Sequence, residues 1–514
     1  MKLPYIHKNK KKNTTRKGGS VIGSGGFGCV FRPQLKCKHE RIRSLSKNRI
    51  TKLMKERYAH KEYNEITKFR DILVNIPNYS NYFLVDGFSV CAPDKLASSD
   101  LIDFNEKCSA LKKMDITSST INSHLDKLMA LNMPYGGITI DDFIEEYRSN
   151  KPKLIELNNC IIHLLHHGVI PMNKLGVFHC DLKSANILVA LGQGINPIQT
   201  RIIDWGLSTY HNGKWQNIPI VLKNRPFQYN VPFSNILFTS TFTKMYDDFL
   251  YQLEEDNNQT INYKNVKLFV ISYVLKWIEE RGHGHMKNIH VILTKILDKP
   301  MHLNGMDNLP FLYKKESMGM FDKSFDTSFD IIFNYLTGIL LSFTKKGHFD
   351  SIHYLNAVFL KNIDVWGIVM TYIPFFEYMH DTKSNAQISC PMRSQFNKLL
   401  LCLLKYNDKP IDVEELSGLL KEFNDIFKSH THHQYFDMND KNKDDDYTMD
   451  SHHRYEKGRK RGKRKVYSSS SKNIIIISDN HHLSASTKKN KKTREHKAIV
   501  KTLKNIQSKS RAMM

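Results

Sequence analysis

One stretch, residues 179–189, constrains the fold of this chain more than any other. It places His179, Asp181, Lys183 and Asn186 in a short polar run that passes directly into an apolar Ile-Leu-Val segment. A polar run that ends in apolar β-formers predicts a loop at the edge of a buried strand. The spacing supplies a carboxylate that can accept a hydroxyl proton, a cation and an amide oxygen, the order of groups that phosphoryl transfer uses. A polar turn before a buried strand produces the same pattern, so the rest of the chain decides between the two.

A glycine-rich segment lies near the N-terminus. Its three spaced glycines let the backbone lie over phosphates and offer N–H groups without obstruction by a Cβ. Apolar β-formers on both sides predict a hairpin, whereas a dinucleotide fingerprint would open a helix. A flexible linker is the alternative. The residues that we expect to bind nucleotide here are Ile22, Gly23, Ser24, Gly25, Gly26, Phe27, Gly28 and Val30.

A lysine stands in the middle of the β-like segment 49–54, and an amphipathic helix is predicted to follow it. Lys52 needs a partner if it is buried. The apolar positions of residues 59–73 repeat at helical spacing, and Glu62 and Glu65 lie on one flank of that helix. A strand lysine paired with a helix glutamate could grip phosphates. Glu65 is the preferred partner because its distance to the next proline is closer to the usual one. Glu62 is the alternative, and simple surface charges are a third interpretation.

A second acidic position follows the first loop. Asp204 ends the apolar run Arg-Ile-Ile and precedes Trp-Gly. An aspartate in this place is suited to holding Mg²⁺ that bridges nucleotide phosphates. A plain turn aspartate is the alternative.

The middle of the chain shows the signs of a hinge. A strand-like segment runs into a Pro/Gly break within residues 131–137, and Thr139 then begins a capped helix. A break of this kind between a β-rich and a helical part predicts two lobes with a cleft between them, which is a natural place for a nucleotide.

Charge and cysteine usage bound the remaining possibilities. The net charge of +25 is concentrated at the ends, with +7 in residues 1–20 and +12 in residues 437–514. Eight scattered cysteines without a CxxC pair predict free, mostly packed thiols in a reducing compartment and no zinc site. The N-terminus lacks the apolar core of a signal peptide, and no apolar run approaches 18 residues, so we expect no membrane span.

Taken together, the glycine-rich segment, Lys52 with a helix glutamate, the 179–186 loop and Asp204-Trp-Gly come in the order of a eukaryotic-type protein kinase. A later segment, 362–369, resembles the kinase helix that anchors the catalytic loop through a buried aspartate, here Asp364. The resemblance covers roughly residues 20–240 and 360–425. It implies an α+β, bilobal protein-kinase-like fold with a small β-rich N-lobe and a larger α-helical C-lobe. The expected boundaries are a disordered basic arm at 1–19, the N-lobe at 20–130, the hinge at 131–137, the C-lobe at 138–430 and a disordered basic tail at 431–514.

The resemblance also implies a role for each site residue, with ATP and Mg²⁺ as the cofactors and proteins that carry Ser/Thr as substrates. Asp181 would orient the protein hydroxyl and accept its proton, and Lys183 would neutralise the γ-phosphate. Lysine at position 183 favours Ser/Thr over Tyr substrates. The binding residues would be Asn186 and Asp204 for Mg²⁺ and Lys52 for the α- and β-phosphates, with Glu65 behind it.

Two segments point to a narrower group. Residues 169–173 and 225–234 look like those of the divergent serine/threonine kinases of large nucleocytoplasmic DNA viruses, such as mimivirus-like and poxvirus-like kinases. A viral member would be expected in the host cytoplasm or the virion. A non-viral one would be cytoplasmic or nuclear, and neither would be secreted.

The chain departs from the kinase pattern at the catalytic loop and in the activation segment. Cys180 stands where an arginine usually precedes the catalytic aspartate, so no guanidinium is available there to grip a phosphate on the activation loop. We therefore expect activity without phosphorylation at Ser208 or Thr209. No Ala-Pro-Glu closes the activation segment. Pro232 stands in for its proline, and the ion pair of its glutamate is missing.

A third departure is length. Asp204 and Asp364 are 160 residues apart, which predicts an insertion at about 241–360. Helical periodicities at 266–278, 289–297 and 329–343 predict a small helical subdomain beside the substrate site. Substrate selection and structural padding are equally open roles for it.

The basic C-terminal tail leaves a competing function open. The cluster at 457–465 could bind nucleic acid in a salt-dependent manner or remain a solvated tail without a partner. A nucleic-acid-associated structural protein that uses a kinase scaffold is therefore the main alternative. A pseudokinase is disfavoured because every residue that handles Mg²⁺ and phosphate is present. A small-molecule phosphotransferase is disfavoured by the glycine lid.

Overall fold

The computed structural model describes residues 20–40, 48–192, 198–211, 217–223, 225–255, 260–281, 284–296, 323–380 and 386–429. These residues form an α+β fold, in which an N-terminal antiparallel β-sheet is followed by a largely helical C-terminal region. The predictions for the arm at 1–19 and the tail at 431–514, including nucleic-acid binding, lie outside the described residues.

The strands fall into one five-stranded sheet and three small ones. Their bounds are β1 (Ser20–Ser24), β2 (Gly28–Arg32), β3 (Arg49–Lys55), β4 (Ser89–Cys91), β5 (Leu128–Pro134), β6 (Ile138–Thr139), β7 (Val177–Phe178), β8 (Ile187–Leu191), β9 (Ile198–Ile202), β10 (Thr209–Tyr210), β11 (Thr344–Lys345) and β12 (His348–Phe349).

The helices dominate the C-terminal region. Their bounds are α1 (Glu56–Leu73), α2 (Phe104–Lys107), α3 (Ser109–Lys112), α4 (Ile140–Tyr147), α5 (Lys151–Leu164), α6 (Ile170–Lys174), α7 (Ser240–Glu255), α8 (Tyr263–Arg281), α9 (Gly284–Ile296), α10 (Lys323–Phe343), α11 (Ser351–Tyr354), α12 (Leu360–Met370), α13 (Ile373–His380), α14 (Ala386–Lys405) and α15 (Val413–Ser429).

The five-stranded sheet has the order β1-β2-β3-β5-β4, and β3 lies at its centre. Lys52 is opposite Val30 on β2 and Leu131 on β5, so the lysine is flanked by apolar strands on both sides. Helix α1 follows β3 without a break and buries the stripe Ala59, Ile66, Phe69 and Leu73, which recurs at helical spacing.

The segment between β4 and β5 forms a second small core with the sheet. Phe104 and Leu111 pack with Val21 and Phe31 of the hairpin β1–β2 in a cluster that is separate from the main core. Burial of these apolar side chains is what holds a segment with only short helices in place.

Two disulfides cross this part of the molecule, Cys29–Cys108 and Cys37–Cys91. The prediction that all cysteines are free thiols is therefore wrong for these four. The paired residues are 79 and 54 positions apart, and no local spacing reveals such pairs; the fold of the sheet brings them together. Cys160, Cys180 and Cys402 are free thiols in the described part of the chain.

The helical region is built on one continuous apolar core that extends from β8 and β9 through α5 and α12 to α15. The predicted N-cap at Thr139 is confirmed, since its side chain accepts the N–H of Asp142 at the start of α4. Strand β8 begins directly after the 179–186 loop, and β9 ends two residues before Asp204. The hairpin β8–β9 therefore brings the two polar motifs side by side.

The helical periodicities of the inserted segment correspond to α8, α9 and α10, while α7 was not predicted. Helix α10 packs on α8, and its Tyr335 contacts Phe233 and Trp366 of the main core. Buried Lys267 and Asp330 form an ion pair at 2.8 Å between α8 and α10. In the described residues the inserted helices thus share the core of the helical region.

One helical run, Ser351–Phe376, is long and apolar enough to cross a membrane by length and composition, and 89% of its most apolar window is buried inside the fold. It includes Asp364, which bonds the backbone of the 179–186 loop. Its apolar character is explained by its position in the core.

Candidate active site

The 179–186 loop is supported from below by helix α12. Asp364, fully buried, accepts the backbone N–H of His179 on Oδ2 and that of Cys180 on Oδ1, both at 2.8 Å. Burial raises the pKa of Asp364 to about 7, against these two bonds, which lower it. A Cβ on Gly367 would lie 2.6 Å from the Leu182 Cβ, so only glycine allows the helix to approach the loop this closely.

The ring of His179 links this loop to the Asp204 motif. Its Nε2–H donates to the carbonyl of Ile203 at 2.9 Å, and its Nδ1 accepts the N–H of Asp181 at 3.3 Å. This pattern requires the neutral tautomer with hydrogen on Nε2. Burial lowers the pKa of His179, in agreement with a neutral ring. The imidazole also packs edge-on against Trp205. His179 therefore fixes the distance between the two predicted acidic residues.

Four side-chain donors surround the carboxylate of Asp181. Lys183 Nζ and Asn186 Nδ2 donate to Oδ2 at 2.8 and 3.1 Å. Arg225 Nη2 and Asn230 Nδ2 each donate to Oδ1 at 2.9 Å. Burial alone would raise the pKa of Asp181, but the charges of Lys183 and Arg225 outweigh it and hold the pKa below its ordinary value. The carboxylate is therefore ionised and fixed in orientation.

Arg225 and Asn230 were not identified from the sequence as site residues. They lie 44 and 49 positions beyond Asp181 in a segment with no recognised catalytic spacing. One signal was available. A buried arginine requires an acceptor, and Cys180 stands where the resemblance noted above implies an arginine before Asp181.

The predicted lysine pair is present, with a different glutamate. Lys52 Nζ bonds both oxygens of Glu62, at 2.8 and 2.7 Å. Burial lowers the pKa of Lys52, but Glu62 and Asp204 outweigh burial and raise it. Phe69, on the same helix as Glu62, packs on Trp205, with ring centroids 5.6 Å apart, so the sheet lysine and the second acidic motif both lie beside α1.

The assignment of Glu65 as the partner of Lys52 is therefore wrong. Glu65 instead contacts Lys61 at 3.7 Å on the helix surface, and burial raises the pKa of its carboxyl. The reason is the rotation of α1. Glu62 lies three residues after Ala59 and four before Ile66, on the buried stripe that faces the sheet. Glu65 is displaced from that stripe.

The glycine-rich loop connects β1 and β2 next to Lys52. The N–H of Gly25 donates to the carbonyl of Gly28 at 2.9 Å, and a Cβ on Gly25 would lie 3.9 Å from the Lys52 Cε. Gly28 is required by packing, because its Cβ would lie 2.6 Å from the Leu53 carbonyl oxygen. The half-exposed tip residue Phe27 packs on Tyr58, with ring centroids 4.7 Å apart.

The rest of this loop is held from outside the hairpin or left open. The hydroxyl of Ser24 accepts the N–H of Ala110 at 3.0 Å from the segment that forms the second core. Ile22 is 47% exposed. Gly23 and Gly26 have no atom within 4 Å of the position that a Cβ would occupy. Backbone N–H groups without a Cβ beside them suit a phosphate.

Asn186 and Asp204 provide oxygen atoms of the kind that Mg²⁺ binds. Both hydrogen bonds of the Asn186 side chain within the described residues use its Nδ2, which leaves its Oδ1 for a cation. The N–H of Ile203 donates to the Asn186 carbonyl at 3.0 Å, so the two residues are joined through the backbone. No cluster of three or more His, Cys, Asp or Glu suited to a metal occurs in the described ranges. Mg²⁺ is typically held by one or two protein ligands together with phosphates, so the pair fits this ion.

The structure thus brings Asp181, Lys183 and Asn186 into one hydrogen-bonded cluster and brings Lys52 close to Asp204 and the glycine-rich loop. Val30 lies on β2 opposite Lys52. Of the two glutamates predicted as partners of Lys52, Glu62 is the one that bonds it.

Comparisons with known proteins give matches among solved structures alone. No family model and no curated protein matches the chain. Among 325 solved chains that match is the crystal structure of a kinase domain, with 17% identity and a TM-score of 0.24. The match covers 43% of this chain and 57% of that one, so the chain spans little more than half of that kinase domain structure. A likeness at this level assigns no residue role.

Proposed function

We propose that this protein is a serine/threonine protein kinase, which transfers the γ-phosphate of ATP to Ser/Thr hydroxyls of other proteins. The observation that carries the proposal is the ionised, four-fold bonded carboxylate of Asp181 beside Lys183 and Asn186. The order of the site residues along the chain supports the same conclusion.

The side chains divide the reaction between them. Asp181 accepts a hydrogen bond from the substrate hydroxyl and takes its proton while the hydroxyl oxygen forms a bond to the γ-phosphorus and the bond to ADP breaks. Lys183, bonded to Asp181 at 2.8 Å, balances negative charge on the phosphoryl group. Lys52, held by Glu62, binds the α- and β-phosphates, and the glycine-rich loop covers them.

Asn186 and Asp204 would hold Mg²⁺. When bound, this ion neutralises charge on the phosphate oxygens. His179 maintains the relative position of these two residues and Asp181, because its ring bonds both the N–H of Asp181 and the carbonyl that precedes Asp204. Trp205 packs against that ring and against Phe69 of α1, which connects the site to the helix that carries Glu62.

The test is phosphate transfer from Mg·ATP to generic basic and acidic proteins by the wild type and by Asp181→Asn. We expect kcat to fall by about 10²–10⁴, since a positioned base typically contributes that much. The matched control is Asp71→Asn, which changes an exposed aspartate on α1 and should leave kcat unaffected. Survival of activity within about tenfold in Asp181→Asn would show that the residue is not the base.

We further propose a viral source and association with the virion, because residues 169–173 and 225–234 look like those of divergent kinases of large DNA viruses. Mass spectrometry of purified virions from the source would test this. Detection of the chain in infected cells but not in virions would refute its association with the virion.

A further inference from the structure

Arg225 lies in the activation segment, which follows Asp204 and includes residues 225–234, and it donates two hydrogen bonds to the catalytic loop, residues 179–186. Its side chain is 3% exposed. Nη2 donates to Asp181 Oδ1 at 2.9 Å, Nη1 donates to the Cys180 carbonyl, and Nε donates to Gln228 Oε1 at 2.8 Å. All three guanidinium nitrogens are thus engaged, and the planar fork spans the backbone and side chain of consecutive loop residues.

The peptide that receives Arg225 has no cation of its own. Cys180 stands where the resemblance predicts an arginine. Its backbone is in the left-handed region, with φ of 61°. Its thiol is buried and donates to the Phe178 carbonyl at 3.5 Å, and burial raises its pKa, so the thiol is neutral. The N–H of Cys180 bonds Asp364 on one side, and its carbonyl bonds Arg225 on the other. Residue 180 is therefore held between α12 and the activation segment.

Three further hydrogen bonds keep the same segment in place. Asn230 Nδ2 donates to Asp181 Oδ1 at 2.9 Å and to the Leu182 carbonyl at 3.2 Å. Trp366 Nε1 of α12 donates to the Tyr229 carbonyl at 2.8 Å. Residues 225–230 are therefore hydrogen-bonded to both the catalytic loop and helix α12. None of these hydrogen bonds involves a phosphate.

We propose that Arg225 is a positioning residue that couples the activation segment to Asp181 without phosphorylation. The proposal rests on the proposed kinase function and extends it to regulation. In this protein the guanidinium comes from the activation segment and its acceptors come from the catalytic loop. In a kinase that is activated by phosphorylation, the arginine lies in the catalytic loop and binds a phosphate on the activation segment, so the arrangement here is reversed. A permanent charge replaces a reversible one, so the segment is held whenever the protein is folded.

The first experiment compares phosphatase-treated wild type with Arg225→Ala and Arg225→Lys. We expect the treated wild type to keep its full kcat. Arg225→Ala should lose about 100-fold in kcat because Asp181 is misplaced, with the KM for ATP unchanged. Arg225→Lys keeps the charge but not the fork and should show a smaller loss of kcat. The matched control is Arg49→Ala, since Arg49 likewise donates to a glutamine side chain and a backbone carbonyl, but in the sheet.

Chemical rescue distinguishes positioning from a merely structural role. Guanidinium ion, added to Arg225→Ala well below denaturing concentrations, should restore part of kcat, whereas methylammonium should not. A folded Arg225→Ala that guanidinium does not rescue, or a wild type inactivated by phosphatase, would overturn the proposal. If Arg225→Ala does not fold, Arg225→Lys decides, and wild-type kcat in that variant would also overturn it.

Hydrogen exchange separates this inference from the proposed function. Amides of residues 225–233 in the dephosphorylated wild type should exchange slowly, and those in Arg225→Lys faster. That result, with no phosphate transfer by the wild type, would refute the kinase function and leave the coupling intact. Equal exchange in both proteins would refute the coupling.

Discussion

The described parts of the sheet region (20–134) and of the helical region (138–429) hold their functional side chains by different means. In the sheet region, Lys52 has one partner, Glu62, and two disulfides cross-link the region, one of them, Cys29–Cys108, within the second core. In the helical region, Asp181 has four side-chain donors and lies above α12 within a much larger core.

The difference reflects the size of the apolar core that lies beside each group, the second core in the sheet region and the main core around Asp181. A small core excludes little water and contributes little stability, so covalent links matter more there. The larger core supplies a low dielectric around Asp181, which strengthens every charged hydrogen bond in the cluster and makes an unpaired group costly. We therefore expect the stability of the sheet region to depend mainly on its disulfides. The stability and activity of the helical region should depend mainly on its polar contacts.

The largest expected effect on stability comes from the disulfides. Cys29→Ser combined with Cys108→Ser should lower the free energy of unfolding of the sheet region by about 2–4 kcal/mol, because the open loop regains entropy when unfolded. Hydrogen exchange of the amides in β1–β3 should accelerate, while that in α5 and α12 should not change. Cys160→Ser, at a free thiol of α5, is the control. Alkylation of all four cysteines in unreduced protein would contradict the pairing.

An intermediate effect is expected from the two glutamates of α1. Glu62→Gln should reduce kcat/KM for ATP by about 10- to 100-fold, since it weakens a charged hydrogen-bond pair on Lys52. Glu65→Gln is a matched control on the same helix and should leave kcat/KM near the wild-type value. Equal losses in both variants would mean that Lys52 does not depend on one defined partner.

The smallest effect is a pH dependence within the helical region. The pKa of His179 is lowered in the folded state, so below about pH 6.5 the unfolded chain binds a proton that the folded chain does not. The contribution of His179 to the free energy of unfolding is therefore present above that pH. It is lost as the pH falls, by up to about 1.4 kcal/mol per pH unit. In urea unfolding, the free energy of unfolding of His179→Gln should fall less steeply than that of the wild type as the pH drops below about 6.5.

Asp364 has the opposite effect on the pH dependence of stability. Its pKa is raised to about 7, so its contribution to the free energy of unfolding is lost as the pH rises through that value. Asp364 is present in both proteins and cancels in their difference. His348→Gln, at an exposed position, is the control. Parallel pH profiles for the wild type and His179→Gln would contradict a neutral buried ring.

The sequence by itself determined the order of functional groups and the local elements that carry them. His179, Asp181, Lys183 and Asn186 share one loop because their spacing and the apolar run behind them leave few alternatives. The strand around Lys52, the helix after it and the cap at Thr139 follow from the same kind of local pattern.

The tertiary structure decided which partners these groups have. The choice of Glu62 over Glu65 depends on how α1 is rotated over β3. The disulfides and the Arg225–Asp181 pair join residues 44 to 79 positions apart. Such contacts are selected by the packing of the whole core, in which many elements fix each other at once, and periodicity along the chain carries no record of them.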